Sequence, residues 1–348
     1  RDKGALDSLA DRLQRRFSEA GGQVQRVANA QGGDHLIVRY EGASSEPPAL
    51  VVGHFDTVWP VGTLARMPVK IDGERASGPG IFDMKASLVM AEFALRSFSE
   101  HGQQPRRPVT LFWSSDEEVG SPTSRGLIED LARQSAYALV LESPLAGGTL
   151  KTARKGVGGF AIEVEGRAAH AGIEPEKGIN AIVELAHQVV KVSALGNPDQ
   201  GTTVNVGVIE GGTTTNTVPA SARARIDVRV ARPDEAERVE AALRSLRPEH
   251  PEAIIRVEGR FNRPPMVRTS EIASLFERAR QIGETLGLAL TEGSTGGASD
   301  GNFTAAVGTP TLDGLGPLGA GAHAPHEHII PSTLPERAAL LKALLAHL

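Results

Sequence analysis

The sequence predicts an α/β protein: a mixed, mostly parallel sheet sandwiched by helices, with a ferredoxin-like α+β domain inserted into it. Two observations carry that prediction. Along the first part of the chain, short apolar runs alternate with helical periods, the signature of a layered, mostly parallel sheet. After Lys155 the order becomes strand, helix, strand, strand, helix, strand, the split ferredoxin-like pattern. The expected boundaries are residues 1–154 and 266–348 for the outer domain and 155–265 for the insert.

The elements follow in order. Leu6, Leu9, Leu13 and Phe17 share one face of a helix over 5–20, stopped by Gly21-Gly22. Gln23–Ala28, His35–Tyr40 and Leu50–Val52 read as strands. Gly78-Pro79-Gly80 marks a tight loop, and Ile81-Phe82-Asp83-Met84-Lys85 leads into a helix carrying Leu88, Phe93, Leu95 and Phe98. Pro108–Trp113 and Tyr137–Leu141 are strands around a short helix near Ser124–Arg133. In the insert, strands are expected at Val157–Gly166, Thr203–Glu210, Thr217–Val230 and Ala253–Glu258, with helices at Ile179–Leu195 and Asp234–Leu246. The helix Ser270–Leu286 returns to the outer domain, which closes with Ser332–Leu348.

Composition narrows the chemistry. The chain has 348 residues, a formal net charge of -5, and no long basic run, which argues against a nucleic-acid partner. No apolar segment approaches the ~18 residues that span a bilayer. Arg1-Asp2-Lys3-Gly4 is not a signal peptide as it stands, and both a cytoplasmic and a periplasmic or secreted location stay open. Cysteine is absent, which removes thiol nucleophiles, thiolate ligands and disulfides. A transition-metal site must use imidazole and carboxylate, donors that suit zinc, manganese or cobalt.

Three apolar runs, near 50–52, 109–113 and 138–141, each deliver acids or a His at the carboxyl end, where open α/β sheets place their chemistry. A His and an Asp two apart in extended chain point the same way, so Asp56 is placed to support His54; a buried, hydrogen-bonded core His fits the same residues. The candidate ligands are His54, Asp83, Glu117, Glu118, Glu142 and the cluster His323, His326, His328. Two-metal hydrolytic sites hold ions roughly 3.5–4 Å apart, commonly bridged by a carboxylate, and the acids here suffice for that and for a general base. Taken singly, Glu117-Glu118 fits a solvated pair and Asp83 a helix N-cap.

The segments Gly53-His54-Phe55-Asp56-Thr57-Val58, Gly78-Pro79-Gly80-Ile81-Phe82-Asp83-Met84-Lys85, Asp116-Glu117-Glu118-Val119-Gly120-Ser121, Glu142-Ser143-Pro144, Ala169-His170-Ala171-Gly172 and Ala322-His323-Ala324-Pro325 occur in that order. Together they resemble the family of di-zinc metallopeptidases that includes glutamate carboxypeptidase (carboxypeptidase G), acetylornithine deacetylase, succinyl-diaminopimelate desuccinylase and aminoacylase. The resemblance implies two zinc ions per subunit, with cobalt or manganese as substitutes. His54 and Glu142 would bind one, Glu118 and His323 the other, and Asp83 both. His323 is preferred to His326 for its Ala-His-x-Pro context, although the family often has Asp-Glu or Asn-Glu where His326-Glu327 stands. Glu117 would be the general base, Asp56 the support behind His54, and the Asp83-Met84 peptide cis.

The resemblance also implies a homodimer formed through the insert, with His170 reaching the partner's site as an oxyanion donor. Asn216, Arg229, Arg263, Gly296 and Gly297 fall where family members engage the substrate, and an Arg suits bidentate grip of a free carboxylate. The implied substrate is a small peptide or N-acyl amino acid, nearest to that of glutamate carboxypeptidase, with an N-acyl amino acid deacetylase as the alternative. Three other readings compete. Gly297-Ala298-Ser299-Asp300-Gly301, with Asp313 and His323 following, has the order of a serine hydrolase, but a nucleophile elbow needs an apolar strand before it and Thr291–Gly296 is polar. Gly314-x-Gly-x-x-Gly319 mimics a dinucleotide fingerprint without the strand-to-helix context. A non-catalytic binder of peptides or amino acids is the third.

Overall fold

The computed structural model describes residues 2–348. The chain divides into two units. The first runs through Ala153, resumes over Arg268–Thr295 and closes with Ser299–Leu348; the second holds Arg154–Val267 and Gly296–Ala298.

The first unit opens with α1 (Lys3–Glu19), whose N-cap Asp2 accepts from the Ala5 N–H, followed by β1 (Gln23–Val27), β2 (His35–Tyr40) and β3 (Ala49–His54). Next come the short strands β4 (Lys70–Asp72) and β5 (Arg75–Ser77), then α2 (Ala86–Glu100), β6 (Val109–Ser114), α3 (Arg125–Arg133), β7 (Tyr137–Val140) and β8 (Leu150–Arg154). The second unit contributes β9 (Gly156–Glu165), α4 (Ala181–Ser193), β10 (Thr203–Gly211), β11 (Ser221–Val230), α5 (Pro233–Arg244) and β12 (Ile254–Arg263). The return adds α6 (Ser270–Thr285), β13 (Glu292–Thr295), α7 (Gly301–Ala306), β14 (Thr311–Leu312), β15 (Gly319–Ala320), β16 (His328–Ile329) and α8 (Leu334–His347).

The main sheet has the order β1-β2-β6-β3-β7-β14. β3 runs parallel to both β6 and β7, β14 runs parallel to β7, and β1 and β2 form an antiparallel edge. Side chains alternate across it. Ala49, Val51, Leu111 and Leu139 pack with Phe17, Leu95, Leu275 and Leu344 from α1, α2, α6 and α8. Leu50, Val52, Phe112 and Val140 pack on the other face with Ile128 of α3 and Phe303 of α7. A strand buried on both faces reads as a continuous apolar run, which is why these stood out in the sequence. The smaller sheets are β8 with β13, and β15-β16-β5-β4.

The second unit is one antiparallel sheet, β10-β11-β9-β12, the strand order of a ferredoxin-like fold. Phe160, Ile162, Val228 and Leu185 from the strands and α4 pack with Val239 and Leu243 of α5. The edge strand β10 leaves Val208 and Ile209 exposed, and α4 exposes Val183 and Val190. Among the described residues no helix is long and apolar enough to cross a membrane.

Ile81–Lys85 lead into α2 as expected, through a wide turn in which Asp83 and Met84 are non-helical and the Asp83–Met84 bond is cis, the isomer the resemblance implied. Three departures from the sequence reading have physical causes. Phe93 is 54% exposed, because five residues beyond Leu88 carries it off the buried stripe of α2. β11 begins at Ser221 rather than Thr217, since Pro219 has no N–H for a ladder. β12 continues to Arg263, held by pairing with β9 after its apolar alternation has ended.

Gly53 is where packing meets the site. A Cβ there would stand 2.6 Å from Trp113 Cζ3 and 2.8 Å from Met84 Cε, both in fully buried side chains. Gly53→Ala is expected to cost about 1–3 kcal/mol, the usual range for overpacking. A denaturant midpoint equal to that of the unaltered protein would show that Met84 and Trp113 can yield.

Candidate metal centre

Strand register brings the candidate ligands level. His54 ends β3 opposite Ser114, and Asp116, Glu117 and Glu118 follow Ser114 at once. Val52 lies opposite Val140, so Glu142, two residues past Val140, arrives beside His54, two residues past Val52. Asp83 comes in from the turn before α2, and His323 from the segment after β15. His323 has φ +63, a left-handed conformation uncommon for a residue with a side chain.

The Asp83 carboxylate sits between the two imidazoles. Its Oδ1 is 3.1 Å from His54 Nε2 and its Oδ2 is 3.2 Å from His323 Nε2. Glu142 Oε1 adds to the His54 side at 3.4 Å, and Glu118 Oε2 to the His323 side at 3.1 Å. His54, Glu117 and Glu142 offer ligand atoms within 4.8 Å of one another, and so do His54, Asp83 and Glu118. Of the two histidines weighed for the last position, His323 is the one that faces Asp83, with Nε2 3.2 Å from Oδ2.

Behind these groups lies Asp56, 1% exposed. Its carboxylate accepts the N–H of Glu117 and of Glu118, each at 3.2 Å, and its Oδ1 lies 3.3 Å from His54 Nδ1. The Asp56 carbonyl oxygen is 3.0 Å from the same Nδ1. With acceptors on that side, Nδ1 carries a proton, so loss of the second proton, on Nε2, would present the Nε2 lone pair where Asp83 and Glu142 converge.

Electrostatics show what the cluster needs. Burial opposes protonation of His54, but Asp56, Asp83 and Glu142 outweigh it and raise its pKa well above the usual imidazole value. Hydrogen bonding to Asp83 pushes His323 up to about 9. Burial, with Asp83 and Asp56 nearby, pushes Glu118 up to about 7 against the lowering effect of the two histidines. Burial works to raise Asp83, yet its hydrogen bonds with His323 and His54 hold it below the ordinary carboxylate range. Protons on the histidines thus supply the positive charge that the acids demand. Nitrogen and carboxylate donors on both sides of a shared Asp fit a pair of divalent cations equally well.

Two other motifs resolve differently. Ser299 is fully buried and donates to Asp313 Oδ2 at 2.6 Å, while His323 faces Asp83 and Glu118, so the serine-hydrolase order in the sequence does not assemble a triad. Gly319 enters the short strand β15 rather than a helix, and Gly316 donates to the Glu142 carbonyl, so the dinucleotide-like glycines are a packing turn. Asp116 is turned inward, accepting from Thr123 and Ser124 just before α3. Glu327, fully buried beneath the Asp83 turn, was not among the expected site residues. Its signal in the sequence was the Asp-Glu or Asn-Glu pair that the family often has where His326-Glu327 stands.

The remaining expected residues lie in the second unit. His170 and Asn216 sit on adjoining loops, joined by Ala171 N–H to the Asn216 carbonyl at 3.0 Å and a bridge between His170 and Thr217. His170 is exposed, and its Nδ1 accepts from the Gly172 N–H at 3.1 Å, which leaves the proton of the neutral ring on Nε2. Arg229 is held by Asp227 through paired bonds of 2.8 and 3.0 Å and also donates to the Gly296 carbonyl. Arg154 donates to the Gly297 carbonyl at 3.1 Å, and Arg263 is buried at the end of β12.

Comparison with known proteins bears on this geometry. Residues 50–347 match the model of peptidase family M20/M25/M40. Carboxypeptidase G2 of Pseudomonas sp. strain RS-16 is 31% identical over 324 residues, covering 91% of this chain and 77% of that one. Among solved structures, aminopeptidase PepT of Bacillus cereus superposes with a TM-score of 0.82 at 24% identity, covering 97% and 92% of the two chains. The M20 family metallo-carboxypeptidase Sso-CP2 of Sulfolobus solfataricus gives 0.76 at 17% identity, covering 98% and 94%.

The raised values for His54, His323 and Glu118 set the sign of a pH effect. Groups that hold protons near neutral pH must release them to bind a cation, so zinc uptake at pH 7 is expected to release protons. Apparent zinc affinity is expected to rise with pH until His323 is deprotonated, near 9. Calorimetry in buffers of different ionisation enthalpy measures the release. Proton-neutral binding would contradict the assigned charge state.

Proposed function

The chain belongs to peptidase family M20/M25/M40 and is a metallopeptidase, and from that premise we propose that it is a di-zinc metallo-carboxypeptidase. It would cleave an amide bond next to a free carboxylate, releasing glutamate or a similar amino acid from peptides, N-acyl amino acids or folate-type substrates. The observation that carries the reading is Asp83, with one carboxylate oxygen toward His54 and the other toward His323. His54 and Glu142 would hold one zinc, His323 and Glu118 the other, and Asp83 both.

When bound, such a pair supplies Lewis acidity, which lowers the pKa of water and polarises a carbonyl. The chain supplies the rest. Glu117, held by its N–H on Asp56 and close to His54 and Glu142, takes the proton from the attacking water and hands it to the leaving amide nitrogen. Asp56 fixes the His54 tautomer and the backbone from which Glu117 and Glu118 project. For the substrate carboxylate, Arg229 and Arg263 are the candidates in the second unit, since an Arg suits bidentate grip of a carboxylate. Asn216, Gly296 and Gly297 would contribute polar contacts around it.

We also infer a homodimer formed through the second unit. Val208 and Ile209 on the edge strand β10, and Val183 and Val190 on α4, are exposed apolar side chains of the kind a second copy would cover. His170, exposed and with its Nδ1 engaged by the Gly172 N–H, would then serve the partner's reaction centre as an oxyanion donor through Nε2.

Glu117→Gln is expected to keep zinc content unchanged while turnover of C-terminal glutamyl substrates falls by roughly 10²–10⁴-fold. Wild-type turnover would remove Glu117 as the base. In the same substrate panel, preference for N-acetyl amino acids would move the assignment to a deacetylase. Mixing inactive Glu117→Gln with His170→Ala tests contribution in trans, because a heterodimer carries one site with both groups. Recovered activity is expected; none, from a chain that sediments as a monomer, would overturn the shared site.

A further inference from the structure

The geometry points to Glu327 as a positioning residue that sets the Asp83 carboxylate between the two imidazoles, an inference that rests on Asp83 being the shared metal ligand. Glu327 is fully buried, and its carboxylate is saturated by four donors. Oε1 accepts from the N–H of Phe82 at 2.9 Å and of Asp83 at 3.0 Å. Oε2 accepts from the N–H of Gly80 at 2.8 Å and from the Trp59 indole at 2.7 Å. One side chain therefore gathers the main chain of the turn that presents Asp83, including the N–H of Asp83 itself.

The placement of this acid makes its role more than local satisfaction. Glu327 follows His323 by four residues, through a tight segment in which Ala324 donates to Gly321 and Glu327 donates to Ala324, both at 2.9 Å. His323 and Asp83 are the pair whose Nε2 and Oδ2 meet at 3.2 Å. The backbone that supplies one candidate ligand thus holds, through Glu327, the backbone that supplies the other. The Gly78 N–H to the Glu327 carbonyl at 3.3 Å and the pairing of β16 with β5 extend that link on either side. Gly80, at φ +70, lets the chain turn over the carboxylate, and a Cβ there would reach within 2.3 Å of Thr57 Cγ2.

A glutamine cannot replace this acid. Each carboxylate oxygen accepts two donors, so either orientation of an amide sets its NH₂ against two N–H groups. Glu327→Gln is therefore expected to displace Asp83 and lower zinc affinity by roughly 10- to 100-fold, the range for lost support of a metal ligand. Chelator competition reads the affinity, and the visible absorption of the cobalt-loaded protein reads ligand geometry. Both are taken where circular dichroism shows the variant folded.

Unchanged affinity and an unchanged cobalt spectrum in folded Glu327→Gln would overturn the proposal. Should that variant not fold, Trp59→Phe decides, since it removes one donor and leaves the three main-chain bonds in place. A several-fold loss of affinity or a shifted cobalt spectrum supports the positioning role, and wild-type values overturn it. A wild-type chain that takes up no metal would instead remove the metal reading itself, and this inference with it.

Discussion

The candidate centre depends on one buried carboxylate, Asp56, and the three donors that converge on it. A charge at 1% exposure is tolerable only when its lone pairs are engaged. Asp56 meets that condition with the N–H groups of Glu117 and Glu118 and with His54 Nδ1. Satisfying its own desolvation therefore joins the end of β3 to the loop after β6. The same bonds hold a proton on His54 Nδ1 and leave Nε2 as the atom that can turn ligand. A structural requirement, pairing a buried charge, produces a functional one, an oriented Nε2.

Around that anchor the centre is a problem of charge density. Asp83, Glu117, Glu118 and Glu142 approach two histidines, of which His54 is fully buried. Like charges so close cannot all remain ionised without cations among them. The protein's own answer is visible in the directions of its pKa shifts: the histidines rise, Asp83 falls and Glu118 rises. Metal ions answer the same demand with more charge. Folding without metal and binding of metal are therefore linked through protons, and the groups that stabilise the metal-free cluster are those that must change state when it is loaded.

The supports differ in kind from the ligands. Ligand-type side chains stand at strand ends and turns, where each reaches a shared point. The groups beneath them, Asp56 and Glu327, bind main-chain N–H groups of segments remote in sequence and so convert the rigidity of the fold into side-chain geometry. In the second unit the same logic recurs with cations: Arg229 and Arg154 hold the carbonyls of Gly296 and Gly297.

The sequence by itself determined the layered sheet, because strands such as Leu50–Val52 and Val109–Trp113 are buried on both faces and are therefore apolar on both, Thr110 excepted. It also determined the ferredoxin-like order of the insert and where the acids and His54 fall along the chain, since both are matters of local pattern. The short strands β4, β5 and β13–β16 escaped it, being too brief to show a period. Only the tertiary structure decided that Asp83 would face His54 with one oxygen and His323 with the other, across 240 residues of chain, that Ser299 would be spent on Asp313, and that Glu327 would lie beneath the Asp83 turn. The physical reason is common to all three. A buried polar group is defined by the partner it finds, and these partners come from parts of the chain that periodicity cannot relate.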